Sequence, residues 1–318
     1  MFNKHLFNTY KVLLILGNGF DLSLGLKTSY VNFIESNQFQ NRVAIHHYPN
    51  ATIDIHDKNI HNYLSNQKKL KNWIDVEMEL KEYASKQRVE YHNDNGGLIN
   101  IQNASDNQIK MSFNILCLDL LNYLNSLDYS SVNMSVPSLQ LLQTVLAKKS
   151  NGVVSFNYTD ILRLISKPRG SIDYMHGNIN EGIILGFQRF ENMAPGYEYM
   201  IKAENPLYKS RHLYTKMIEA DEVIIYGHSL GETDHCYFKP FFEAQTQINA
   251  TLPHRLTIFT LNGESRNAII KQMVSLSDGK YLLFQDNTNI EVIETYNNDK
   301  GVMAYIDKLK KRMRLSLL

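Results

Sequence analysis

Apolar residues along this chain fall into two patterns. One is the short strand-like run: Val12–Leu16 is unbroken apolar sequence, and strand signals return at 153–156, 172–175, 183–185, 222–226 and 256–261. An unbroken apolar run closed by glycine or a polar residue is the mark of a parallel strand covered on both faces. Between the later runs, apolar residues recur at helical spacing over 159–165, 212–220, 234–244 and 265–274. Near the start, Thr28 or Ser29 is placed to cap a helix through Tyr30, Phe33 and Ile34. Strands alternating with helices predict an α/β fold with a doubly wound, Rossmann-type parallel sheet.

From about 38 to 146 the pattern changes. Apolar residues follow helical spacing, as in Leu70, Trp73, Ile74 and Met78, and again in Ile115, Leu116, Leu118, Leu120, Leu121 and Leu124. The Asn-rich, Gly-Gly-containing stretch 92–106 reads as a mobile loop. The organisation expected is a nucleotide-binding core from 1–37 and 150–290, a large helical insertion at 38–149, and a C-terminal helix at 291–318 that ends in the basic stretch 308–314.

Charge narrows the partners. Thirty-three basic and thirty-two acidic residues leave a net charge of +1, so no global field favours nucleic acid or an anionic membrane. Cys117 and Cys236 stand far apart in no zinc-type spacing, which points to a reducing cytoplasm and no structural metal. The run Val12–Leu16 is too short for a signal-peptide core or a membrane span.

Ligands of open parallel sheets bind beyond the carboxyl ends of the strands, so chemistry is sought just after the apolar runs. Gly17-Asn18-Gly19-Phe20-Asp21 follows the first; its glycines allow close approach of a phosphate, or form a plain tight turn, and Leu22 stands where a third fingerprint glycine belongs. Asn157, in the phrase Ser155-Phe156-Asn157-Tyr158-Thr159-Asp160, offers a donor and an acceptor to a ribose, or caps a helix. His176-Gly177 ends another run, where an imidazole suits proton transfer.

Gly227-His228-Ser229-Leu230-Gly231, leading to Asp234, matches a G-x-S-x-G nucleophile elbow. A serine hydrolase also needs an acid and a histidine further along the chain. Only His235 and His254 follow Ser229, one on the next helix and one ahead of a strand, so the triad is hard to complete. Asp75, Glu77 and Glu79 are spaced by two and share no single helical face, which suggests solvated or capping roles, with a lid over the cleft as the alternative.

Taken together, LGNGFDLSLGLKTSY, NWIDVEMEL, SFNYTD, MHGNI and IIYGHSLGETDHCYF resemble the bacteriophage abortive-infection family AbiH. The order of clusters also resembles the SIR2-like (sirtuin-type) NAD-binding fold. That second resemblance assigns ligand binding to Gly17, Asn18, Gly19, Phe20, Asp21, Asp160, Gly177, Gly227, His228, Ser229, Leu230 and Asp234, and ribose contact to Asn262. Two departures limit it: Asp160 lies three residues after Asn157 rather than two, and the sirtuin zinc module, which needs four thiolates, is absent. The resemblance therefore implies hydrolysis of NAD rather than protein deacylation. Asn157 would hold the ribose or the attacking water, and His176 would act as general base. A non-catalytic nucleotide sensor or scaffold and a serine esterase remain the alternatives. A constitutive NAD hydrolase would kill its host, so quiescence relieved by homo-oligomerisation or a phage-derived trigger is expected.

Overall fold

A computed structural model describes residues 10–43, 59–70, 75–86, 89–92, 98–102, 107–191, 193–247 and 254–315. The chain opens with strand β1 (Val12–Leu16) and, separated from it by Gly17 alone, the short helix α1 (Asn18–Ser23). Helices α2 (Tyr30–Ile34), α3 (Asn37–Gln40), α4 (Ile60–Leu70) and α5 (Val76–Lys86) follow. Next come β2 (Val89–His92), β3 (Leu98–Gln102), the long α6 (Asn107–Asn125) and α7 (Pro137–Leu146). Strands β4 (Gly152–Ser155), β5 (Ser171–Tyr174), β6 (Gly177–Asn178) and β7 (Gly182–Ile183) succeed them. The remainder alternates: α8 (Leu213–Glu219), β8 (Glu222–Tyr226), α9 (His235–Gln245), β9 (His254–Thr260), α10 (Gly263–Leu276), α11 (Tyr281–Asn287), β10 (Thr288–Glu294) and α12 (Asp299–Leu315).

These elements divide into two compact units. The first comprises Met1–Leu26, Asp128–Met175 and Ser210–Leu318; the second comprises Lys27–Leu127 and His176–Lys209.

The first unit is built on a six-stranded sheet in the order β10-β9-β8-β1-β4-β5, with every neighbouring pair parallel. Counted along the chain, the six strands run outward from β1 in both directions, the order of Rossmann-like dinucleotide folds, and the winding reverses between β1 and β8. Alternation along β1 divides the core between two faces. Val12, Leu14 and Leu16 pack with α7 and α12 residues such as Leu142 and Ile306. Leu13 and Ile15 pack with Phe238 and Phe242 of α9 and Met273 of α10. Burial on both faces explains why β1 and β8 carry almost no polar residue.

Glu222, at the amino end of β8, is the exception. Fully buried, it accepts hydrogen bonds from Tyr305 Oη (2.6 Å), Tyr10 Oη (2.8 Å) and the Arg312 guanidinium (2.7 and 3.0 Å). This cluster fastens α12 to the sheet at the end opposite the candidate site.

The second unit contains α2 to α6 and two antiparallel hairpins, β2–β3 and β6–β7. Its core is aromatic, with Tyr63 and Tyr83 rings 4.9 Å apart and Phe33 and Phe39 rings 5.3 Å apart. Asp119 is buried and paired with His61 Nε2 at 3.2 Å and Arg42 Nε at 3.0 Å. Burial, only partly offset by that carboxylate, holds His61 below the ordinary imidazole range.

Several expectations change. The run at 183–185 contributes to the small hairpin β6–β7 and not to the main sheet. The helix expected over 159–165 shrinks to a single 3-10 turn, Ile161–Arg163. Part of the stretch read as a loop, 92–106, belongs to the hairpin β2–β3; 93–97 and 103–106, like Trp73 and Ile74, lie outside the described residues. The segment read as a C-terminal helix from 291 is still strand β10 to Glu294, with the helix starting at Asp299. Edge position explains that error: one neighbour and incomplete cover leave β10 without a continuous apolar run. Among the described residues no helix is long and apolar enough to cross a membrane.

Candidate functional site

At the carboxyl edge of the first unit's sheet, the turn after β1 is bonded to the turn after β8. Gly17 N–H donates to Tyr226 O (3.0 Å), Gly19 N–H to Gly227 O (2.8 Å) and Phe20 N–H to Gly17 O (2.9 Å). A Cβ on Gly19 would lie 2.7 Å from Gly227 Cα, and one on Gly227, whose φ is +65°, 2.4 Å from Phe20 N. The glycines thus let two backbones meet, and the three amides named serve the protein itself.

Asn157 lies beside this junction, its Nδ2 donating to Gly17 O at 3.0 Å and its own amide donating to Ser155 Oγ at 3.1 Å. Asp21 sits next to it, 1% exposed. Its Oδ2 accepts from Thr159 Oγ1 at 2.9 Å, while its Oδ1 is buried without a hydrogen-bond partner. Burial raises the Asp21 carboxyl from 3.8 to about 7 against the opposing pull of bonds from Thr159 and Asn157. An acid with that value both gives and takes protons at neutral pH. Asp160 is occupied locally: its Oδ1 caps the 3-10 turn through Leu162 N–H (2.9 Å) and accepts from Tyr174 Oη (3.3 Å).

The G-x-S-x-G phrase does not form a hydrolase elbow. His228 Nδ1 accepts from Leu230 N–H at 2.9 Å, so its proton stands on Nε2, which faces Asp234 Oδ2 at 3.4 Å. The ring lies 4.4 Å from that of Phe156. The left-handed non-glycine residue is Leu230, with φ +52°, rather than the serine. Ser229 is exposed, and among the described residues no hydrogen bond joins it to a histidine. His235 Nε2 is spent on Gln272 Oε1 at 2.7 Å. Asn262 forms a capping box with Ser265 at the start of α10.

His176 and Gly177 belong to the second unit. The hairpin β6–β7 fixes them: Ile184 N–H donates to His176 O at 2.8 Å, and Gly177 takes φ +73° where a Cβ would meet Gly182 O at 2.1 Å. His176 is 4% exposed, and its Nε2 lies 3.4 Å from the ammonium of Lys202. Lys202 is itself fully buried and bonded to Glu77 Oε2 at 2.7 Å.

Glu77 and Glu79 are both buried, contrary to the solvated role expected for them; Asp75 does cap α5, accepting from the amides of Glu77 and Met78. The reason is the breadth of the buried face. Val76, Leu80, Tyr83 and Ala84 are all buried, and at 100° per residue Glu77 and Glu79 flank them at opposite margins, about 160° apart. Lys202 was not legible from sequence, because a lysine is almost never fully buried unless paired and its partner lies 125 residues away.

Comparison with known proteins gave one finding: the family model described as Bacteriophage abortive infection AbiH matches residues 13–253. No curated protein and no solved structure matches the chain.

Proposed function

The chain belongs to the bacteriophage abortive-infection family AbiH, and from that premise we propose that it acts against phage by cleaving NAD to nicotinamide and ADP-ribose at a SIR2-like nucleotide site. The observation that carries the reading is the sheet order, with its reversal between β1 and β8, combined with Asn157 and a buried, half-satisfied Asp21 beside the glycine turn. Ligands of such sheets bind outside the strand ends at the reversal.

The chemistry asks little of the protein. Nicotinamide leaves as a neutral molecule from a cationic ring, so no acid is needed; water adds to the ribose carbon and gives up one proton. In this reading the carboxamide oxygen of Asn157, whose nitrogen is held by Gly17 O, orients a ribose hydroxyl or the water, and the general-base role implied by the SIR2-like resemblance falls to His176. No metal takes part.

A second reading, a nucleotide sensor or scaffold without catalysis, is favoured by the internal bonding of the Gly17, Gly19 and Phe20 amides, which leaves fewer donors for a pyrophosphate. Incubating the purified protein with NAD and measuring free nicotinamide separates the two. Release that falls at least about a hundredfold in folded His176→Ala supports the hydrolase; NAD binding with no release supports the sensor.

A further inference from the structure

Buried charges are expensive, and the second unit contains a pair whose placement has a chemical consequence. Lys202 is fully buried with its ammonium 2.7 Å from Glu77 Oε2 and 3.4 Å from His176 Nε2. Such a pair stabilises a fold little, because desolvation offsets most of the Coulomb attraction. An ammonium has donors only. The imidazole atom that faces it must therefore present a lone pair.

We infer that Lys202, itself fixed by Glu77, is a positioning residue that holds His176 in its neutral tautomer, with the proton on Nδ1 and the lone pair on Nε2. Three elements build the arrangement, of which α5 is distant in sequence from the other two. α5 supplies Glu77 from the margin of its buried face. The bridge between Phe187 and Ile201, with Lys202 N–H bonded to Phe187 O at 3.0 Å, sets the lysine backbone. The hairpin β6–β7 sets the histidine. A partner that fixes one ring nitrogen decides which form of the other is offered.

The inference deepens the proposed reading and rests on it for its functional meaning, since it says what state the proposed base is in. While the ammonium occupies the Nε2 lone pair, the ring offers an Nδ1–H donor and accepts no proton. Base action begins only when that contact opens.

The test is a long-range ¹H–¹⁵N spectrum of histidine-labelled full-length protein at neutral pH, with the His176 signals identified by their loss in His176→Gln. The wild type is expected to show a neutral ring protonated on Nδ1. In Lys202→Met the ring is expected to leave that single form, with a clear population protonated on Nε2. Lys202→Met combined with Glu77→Gln removes the pair without stranding a buried carboxylate and is expected to give the same result if the single variant does not fold. A wild-type ring protonated on Nε2 or on both nitrogens overturns the inference, as does a folded Lys202 variant that keeps the wild-type pattern. Because the spectrum needs no substrate, the inference fails or stands independently of nicotinamide release.

Discussion

The amide of Gly19 donates to the carbonyl oxygen of Gly227 at 2.8 Å and so joins the turn after β1 to the turn after β8. Adding a methyl at Gly227 forces a left-handed φ on a side-chain-bearing residue and drives it into Phe20 N. Gly227→Ala is therefore expected to cost more than about 2 kcal/mol. Gly25 is the control: it has φ +83° but open space around it, so Gly25→Ala carries the conformational cost alone, about 1 kcal/mol. Urea unfolding of both variants measures the difference, and equal losses would show that the backbone junction is not what Gly227 serves.

Asp21 makes stability depend on pH. Its folded value, about 7, exceeds its ordinary value of 3.8, so between these the folded state binds the proton that the unfolded state has lost. Stability from this group is intact below pH 4, declines as pH rises, and is fully lost above pH 7, a change of at most about 4 kcal/mol. Asp21→Asn has no such proton to lose. The gap in Tm between Asp21→Asn and wild type should move in favour of the variant as pH rises from 4 to 8. A gap that does not change with pH would contradict this account of the carboxyl.

Arg312 and Glu222 test the other end of the sheet. Removing the guanidinium leaves a carboxylate with no solvent exposure supported by two tyrosine hydroxyls. Arg312→Met is expected to lose about 3 kcal/mol or more, and Glu222→Gln added to it should recover part of the loss. Denaturant unfolding of the two proteins checks both statements.

Ser229 has the sequence context of a nucleophile without its structural setting. Its neighbour His228 accepts from Leu230 and turns its proton to Asp234. A fluorophosphonate probe is expected to leave the protein unlabelled, and labelling that disappears in Ser229→Ala would restore the esterase reading.

The legible parts of this fold are those where one residue pattern has one physical solution. Val12–Leu16 and Glu222–Tyr226 are buried on both faces, so their apolar runs name them as central strands. Ser29 announces a cap and caps α2, whereas Asn262, expected at a ribose, caps α10. What stayed hidden is what the local pattern does not decide. The run at 183–185 looks like any buried strand, and its pattern does not say that it pairs within the short hairpin β6–β7. Gly17-Asn18-Gly19 reads equally as a phosphate loop or as a plain tight turn, and only the position of Gly227 reveals the close backbone contact. Lys202 gives no sign of burial until Glu77 is placed beside it.

The proposed function has this abortive-infection protein consume NAD, with Asn157 and His176 each required. Total NAD in phage-infected cells, followed from infection to lysis, is the readout, because infection supplies whatever trigger the protein needs. Cells carrying the wild type should lose most of their NAD before phage mature. Cells carrying Asn157→Ala or His176→Ala at equal, folded abundance should keep it. Phage protection by the wild type with NAD undiminished would contradict the account.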